Sequence, residues 1–503
     1  MRTPSLPSPL PEVEVTAAPR RGLPLVVLAR AGAETYAPLL GPGGADLGTD
    51  WAAAVGLTGK AGEVHTAATQ GAGIRWVAGI GDGEPKQWRK AGAALVRAFE
   101  SRASTEADAG RRVPRALQLT LPPEAGEAEV AELVLGVSLG GYRYKLTNEA
   151  PPPRLRSLRL VAGEPGQLEP LRTAVEQTLT YAAGTAATRD MGNTPSNVKD
   201  PAWLAQTAVK LAAELPLLQV AVHDEQWMAA QGFGGVLAVG GGSARPPRFV
   251  VLSYRPNRPA GPHVVLVGKG ITFDTGGISI KPADGMHWMR TDMAGGAAVI
   301  SALVTVARLG LPIQVTGLVP IAENHVSGSS YRPGDVVRHY DGQTTEVSNT
   351  DAEGRMVLAD ALGYAVRNLK PDVLVDVATL TGSMKIALGT RIGGVFATHD
   401  SLATRIISAG ARRGEAWWRM PLLADLEDAV ASEIADWQQC PPGPGSITAA
   451  LFLRKFTGGI PWAHLDIAGP ARSEKVVDEV VPGATGFATR TLVELVASYV
   501  AEG

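Results

Sequence analysis

Two kinds of hydrophobic pattern divide the chain. From residue 23 to about 163, short β-like apolar runs (23–29, 74–80, 116–121 and 158–162) alternate with helical patterns at 85–100 and 127–137. That alternation predicts a small α/β domain. A long helical pattern over 168–190 then reads as a connector. From about 219 onward the apolar runs are continuous: 219–222, 249–254, 263–268, 314–321, 373–378 and 464–467. Runs without period-two alternation are those of strands covered on both faces, which predicts a mainly parallel sheet between helices. Helical spacing places those helices at 293–309, 354–369, 402–413, 447–456 and 489–500. The predicted organisation is a flexible extension (1–22), an amino-terminal α/β domain (23–165), a linker helix (166–192) and an α/β/α domain with a mixed, mainly parallel sheet (193–503). Consecutive prolines at 151–153 supply the strongest break, because they forbid a helix.

Composition narrows the classes. The chain has 503 residues, of which 45% are hydrophobic and 19% charged, as in globular proteins rather than disordered ones. With 47 Lys+Arg against 49 Asp+Glu, the net charge of −2 gives no general attraction to nucleic acid. No run reads as the roughly 20 apolar residues of a membrane span. Four prolines among the first eleven residues oppose a signal peptide. A single cysteine, Cys440, excludes an intramolecular disulfide and a cysteine-cluster metal site. These features lead us to expect a cytoplasmic protein.

Charge inside apolar surroundings is the sharper signal. Residues 267–282, VGKGITFDTGGISIKP, leave a buried strand through glycines and carry Lys269, Asp274 and Lys281. Ligands in open α/β sheets bind at the carboxyl ends of strands. Asp292 opens the helix predicted from 293, and 349–355, NTDAEGR, opens another with Asp351, Glu353 and Arg355. Taken singly, Asp292 reads as a helix N-cap and Asp351 with Glu353 as a capping box. Together, four carboxylates in one pocket repel unless cations hold them, and two divalent ions about 3.5–4 Å apart answer that need. Carboxylates suit Mg²⁺ and Mn²⁺, and Zn²⁺ accepts them too. A lysine can ligate only when neutral.

The segments GKGITFDTGGISIKP and NTDAEGR resemble the signatures of the leucyl aminopeptidase (cytosol aminopeptidase) family. The resemblance continues through NTPSNV (193–198), ENHVSGSSYRPGD (323–335), DVATLTGSMKIALG (376–389), SITAALFL (446–453), WAHLDIAG (462–469) and GATGFATRTL (483–492). It implies Lys269, Asp274, Asp292, Asp351 and Glu353 as ligands of two metal ions, Mn²⁺ or Zn²⁺ with Mg²⁺ also admitted. It further implies a metal-bridging hydroxide as nucleophile, Lys281 polarising the scissile carbonyl, and Arg355 holding a bicarbonate general base. Met289, Thr379, Leu380 and Gly382 would line a pocket for apolar residues such as leucine or methionine. The implied substrates are peptides with a free amino terminus, and the implied assembly is a homohexamer. Two departures bear on the pocket: His287-Trp288 just before Met289, and the stretch 435–442, ADWQQCPP. Two other readings compete, a two-metal phosphoesterase and a DNA-binding or structural hexamer that retains the site. Nothing else in the charge pattern asks for nucleic acid or a membrane.

Overall fold

A computed structural model describes residues 6–32, 39–68 and 74–500. The chain forms two compact α/β units. The first comprises Met1–Ala186 with Glu474–Pro482, the second Ala187–Ser473 with Gly483–Gly503. The expected fold class is the observed one.

In the first unit, Ser157–Val161, Ala116–Thr120, Leu25–Arg30 and Ile74–Gly79 pair in parallel in that order, and Val64–Ala68 closes the far edge antiparallel. The opposite edge corrects the reading of 1–22 as a flexible extension. Glu12–Thr16 is a strand, parallel to Ser157–Val161, because its alternating Glu-Val-Glu-Val turns Val15 into the core. Residues 1–5 of that extension lie outside the described residues. The proline-rich stretch at 149–156 lies within this unit, and Leu155 belongs to its core. The expected linker is one helix, Leu168–Asn193, and the division between units falls inside it.

The second unit is built on a mixed sheet. Val264–Gly268 lies at its centre, parallel to Val315–Asn324 on one side and Val373–Ala378 on the other, with Trp462–Asp466 parallel beyond that. Gly270–Asp274 continues the central chain parallel to Val315–Asn324. Antiparallel neighbours flank these: Arg248–Tyr254 and Leu218–His223 on one side, Ile392–Ala397 on the other. The central strands are buried throughout, as their uninterrupted apolar runs predict. Leu218–His223 departs from that prediction. It is the edge strand, so Val222 is exposed.

Helices Ala294–Leu309 and Glu353–Tyr364 cover the sheet with almost wholly buried residues. The stretch Met286–Leu309 is long and apolar enough to cross a membrane by length and composition, contrary to the sequence reading. Some 83% of its most apolar window is buried inside the unit, as in a core helix. The helix expected over 354–369 changes to a π-turn at Ala365–Leu369 and stops at Lys370, in the left-handed region, ahead of Pro371.

Candidate metal centre and substrate pocket

The carboxyl ends of the central strands converge on one cavity. Gly270–Asp274 delivers Asp274 and runs into Gly276 and Gly277, both at positive φ (87° and 64°). A Cβ on Gly276 would lie 2.5 Å from the Ser279 carbonyl oxygen, and one on Gly277 would lie 2.9 Å from Thr350 Oγ1. Only glycine turns the chain this sharply and returns Lys281 to the strand end it left. The helix Ala294–Leu309 begins hard against the sheet: a Cβ on Gly295 would come within 2.1 Å of the Val377 carbonyl oxygen. That close approach sets the depth of Asp292, just upstream.

Six of the seven charged residues singled out in the sequence line this cavity, and Arg355 is not among its lining residues. Lys269 Nζ lies 2.8 Å from Asp292 Oδ2 and 2.7 Å from Glu353 Oε1, and donates to the Thr379 carbonyl at 3.1 Å. Lys281 Nζ lies 2.7 Å from Asp274 Oδ2 and pairs with Asp351. Asp274, Asp351 and Glu353 each offer an oxygen within 4.8 Å of the others. Asp292 is not the N-cap that its position suggests, since its carboxylate accepts from Lys269 and, at 2.7 Å, from Thr379 Oγ1. No capping box forms at 351–353 either. Ala352 occupies the cap position without a side-chain bond, and both carboxylates turn to the lysines.

The electrostatics of the cluster follow from burial. Burial raises Asp274 well above the ordinary carboxylate range, and Glu353 and Asp292 raise it further while both lysines pull it back. Burial likewise lifts Asp292 to about 6 against the pull of Lys269. For Lys269 burial disfavours the charge, but Asp292, Glu353 and Asp274 outweigh it and push the ammonium above its usual value. Lys281 is raised in the same way, chiefly by Asp274. Asp292 Oδ2, Asp351 Oδ1 and Glu353 Oε1 are buried oxygens that meet these lysines as ion pairs, without hydrogen-bond geometry. Buried, hard oxygen donors left in that condition fit divalent cations.

Three residues to which the sequence assigned no role support the cluster. Asn324, buried at the end of its strand, donates to Asp274 Oδ1 at 2.8 Å and to the Thr350 carbonyl at 3.0 Å. Asp466 accepts from the N–H groups of Leu380 (3.3 Å), Thr381 (3.1 Å) and Ala468 (3.0 Å) and from Thr381 Oγ1 (2.6 Å). Gln439 accepts from the N–H groups of Ser348 and Asn349 and donates to the Ala352 carbonyl. Its own carbonyl receives Arg355 Nη1 at 2.6 Å. Asn324 and Asp466 sit in segments whose resemblance was already visible, and Gln439 in the stretch that departs from the pattern. Arg355 is buried, and its Nε has no hydrogen-bond partner.

The cavity has a volume of about 160 Å³. Met289, Thr379, Leu380 and Gly382 all line it beside the carboxylates and lysines, as do Thr291, Thr381, Ala468, Ala471, Lys385 and Arg472. Trp288 stacks under the guanidinium of Arg290, whose central carbon lies 4.9 Å from the ring centroid.

Residues 186–493 match the model of the cytosol aminopeptidase family, catalytic domain. The chain belongs to the cytosol aminopeptidase family. Family membership makes it a metal-dependent aminopeptidase, a hydrolase of peptide substrates. It is 44% identical over 398 residues to a "probable cytosol aminopeptidase" of Syntrophotalea carbinolica, covering 78% of this chain and 77% of that one. Among solved structures it resembles a mutant of tomato leucine aminopeptidase (TM-score 0.86, 29% identity, 99% of this chain and 98% of the other). It also resembles the bottromycin maturation enzyme BotP in complex with Mn (TM-score 0.81, 36% identity, 97% of this chain and 99% of the other).

Proposed function

We propose that the cavity is the active site of a two-metal aminopeptidase that releases the first residue of peptides with a free amino terminus, preferring apolar residues such as leucine or methionine. One observation carries the reading. Asp274, Asp351 and Glu353 bring ligand oxygens within 4.8 Å of one another in the same cavity as Met289 and Leu380. In this reading Lys269, Asp274, Asp292, Asp351 and Glu353 hold two divalent ions, Mn²⁺ or Zn²⁺ with Mg²⁺ also compatible. The Mn in the BotP structure supports a transition metal. Such a pair supplies an activated water and a Lewis acid for the scissile carbonyl.

The chain's own residues do the rest. Lys281 is held in its charged form by Asp274 and Asp351, and it stabilises negative charge as it develops on the carbonyl oxygen. Arg355, with a buried Nε–H that no protein group accepts, is the anchor for a bicarbonate anion as general base. Thr379 holds Asp292 through its hydroxyl and Lys269 through its carbonyl, so one residue both shapes the pocket and orients two ligands. Met289 and Leu380 give the first side chain an apolar wall. The reading includes a homohexamer acting in the cytoplasm, in keeping with the name of the relatives.

The test is hydrolysis of leucine p-nitroanilide by chelator-stripped protein with and without added Mn²⁺, Zn²⁺ or Mg²⁺. Activity that returns only with metal supports the reading. Silence with every metal, on leucyl and other aminoacyl anilides alike, overturns it.

A further inference from the structure

The described residues lining the cavity include four carboxylates and four cations. Lys269 and Lys281 are locked into ion pairs with those carboxylates, and Lys385 and Arg472 line the same cavity. Lys385 lies one turn along the Gly382–Leu388 helix from Gly382, so the two present the same helical face to the cavity. It is half-buried, and its ammonium makes no ion pair or hydrogen bond to a described residue. Arg472 is also half-buried, its central carbon 5.8 Å from the centroid of the Trp288 ring that Arg290 shares. The same lining carries the apolar Met289, Leu380, Ala468 and Ala471. The cavity's 160 Å³ is well below the roughly 300–1,000 Å³ of drug-sized sites, which suits one amino-acid side chain rather than a longer ligand.

Charge decides what that wall selects. Three lysines and Arg472 already balance the four carboxylates, so two divalent ions would leave the loaded pocket positive, a field that draws anions in and opposes cations. A lining that combines apolar side chains with Lys385 and Arg472 matches a side chain with a methylene stem and an anionic tip.

We propose that the pocket also accepts acidic first residues, glutamate and aspartate, whose methylenes lie along Met289 and Leu380 while the carboxylate meets Lys385 and Arg472. This rests on the aminopeptidase reading above and widens its substrate class from apolar to apolar and acidic.

The experiment compares kcat/KM of the metal-loaded full-length protein on glutamyl, aspartyl, leucyl and lysyl p-nitroanilides, for the wild type, Lys385→Met, Arg472→Met and Lys385→Glu. The wild type is expected to cleave the glutamyl substrate within about ten-fold of the leucyl one and well above the lysyl one. Lys385→Met and Arg472→Met should each lower the glutamyl-to-leucyl ratio about ten-fold, and Lys385→Glu should raise the lysyl-to-glutamyl ratio. Added salt should lower the glutamyl rate more than the leucyl rate. Using ratios within one variant removes differences in folded fraction. Cleavage of leucine with glutamate more than about a hundred-fold poorer, or a glutamyl-to-leucyl ratio unmoved in all three variants, overturns the proposal and leaves the aminopeptidase intact. Failure on every substrate with every metal overturns both.

Discussion

Replacing Asp466 by asparagine should loosen the pocket wall without touching a metal ligand. The carboxylate is fully buried and accepts four hydrogen bonds, two on each oxygen. Asparagine keeps one acceptor oxygen and turns the other into a donor. If the amide nitrogen replaces Oδ2, it faces the Thr381 N–H, and only the Thr381 hydroxyl can rotate to accept. If it replaces Oδ1, the N–H groups of Leu380 and Ala468 lose their partner instead. A buried donor left unsatisfied costs about 1–3 kcal/mol, and a bond to a charged acceptor is worth roughly 1.5–3 kcal/mol, so the 379–382 turn should lose about 2–4 kcal/mol. Amide hydrogen exchange read by mass spectrometry localises this loss even in a chain of two units. Exchange in the peptide spanning 379–388 should accelerate about thirty-fold to several-hundred-fold, at about 1.4 kcal/mol per tenfold, while peptides of the first unit stay unchanged. Exchange within about three-fold of the parent across 379–388 would show that the carboxylate does not hold the turn and would refute the reasoning.

Lys281→Ala and Arg355→Ala should each reduce kcat by orders of magnitude with the circular dichroism spectrum retained, and near wild-type turnover in both would remove their assigned roles. Asp274→Ala should lower bound metal, measured by elemental analysis of dialysed protein. Unchanged two-metal stoichiometry contradicts its place among the ligands. His464, buried, has its proton affinity raised: burial works against the charge, but Asp376 at 2.5 Å outweighs it. A group raised on folding contributes its stability in full below the unfolded value near 6.5 and loses it as pH climbs through the folded value. The urea midpoint of the wild type should therefore exceed that of His464→Gln by most below about pH 6.5, the gap narrowing at higher pH. A gap that stays constant from about pH 5.5 to 9 contradicts this.

Much of the second unit was legible because buried parallel strands announce themselves as unbroken apolar runs. Val373–Ala378 appears where the sequence puts it, and Thr489–Val500 likewise. Several charged members of the cavity were legible for the complementary reason, since Lys269, Asp274 and Lys281 stand in an apolar stretch where an isolated charge is costly. Supporting residues were harder to see. Asn324 and Asp466 act chiefly through hydrogen bonds to groups between 26 and 86 positions away, and nothing in local composition encodes such a partner. Gln439 reaches Arg355 through its backbone carbonyl, which any residue could supply, and its amide bonds groups 87 to 91 positions away. At Glu12–Thr16 the surrounding prolines drew attention from a clear alternation of charge and valine.

The short segment Glu474–Pro482 belongs to the first unit although it is drawn from deep within the second half of the chain. There Arg89 lies 3.4 Å from Glu479, and Arg97 donates to the Asp478 carbonyl at 2.8 Å. For a chain made from its amino terminus, this sets an order of events. At about 5–20 residues per second, the last piece of the first unit is synthesised roughly 15–60 s after residue 186. Until then Arg89 has only Glu132 and Arg97 only the Gly140 carbonyl, their partners at 478 and 479 do not exist, and the amino-terminal unit waits, incomplete, while nearly all of the catalytic unit is made.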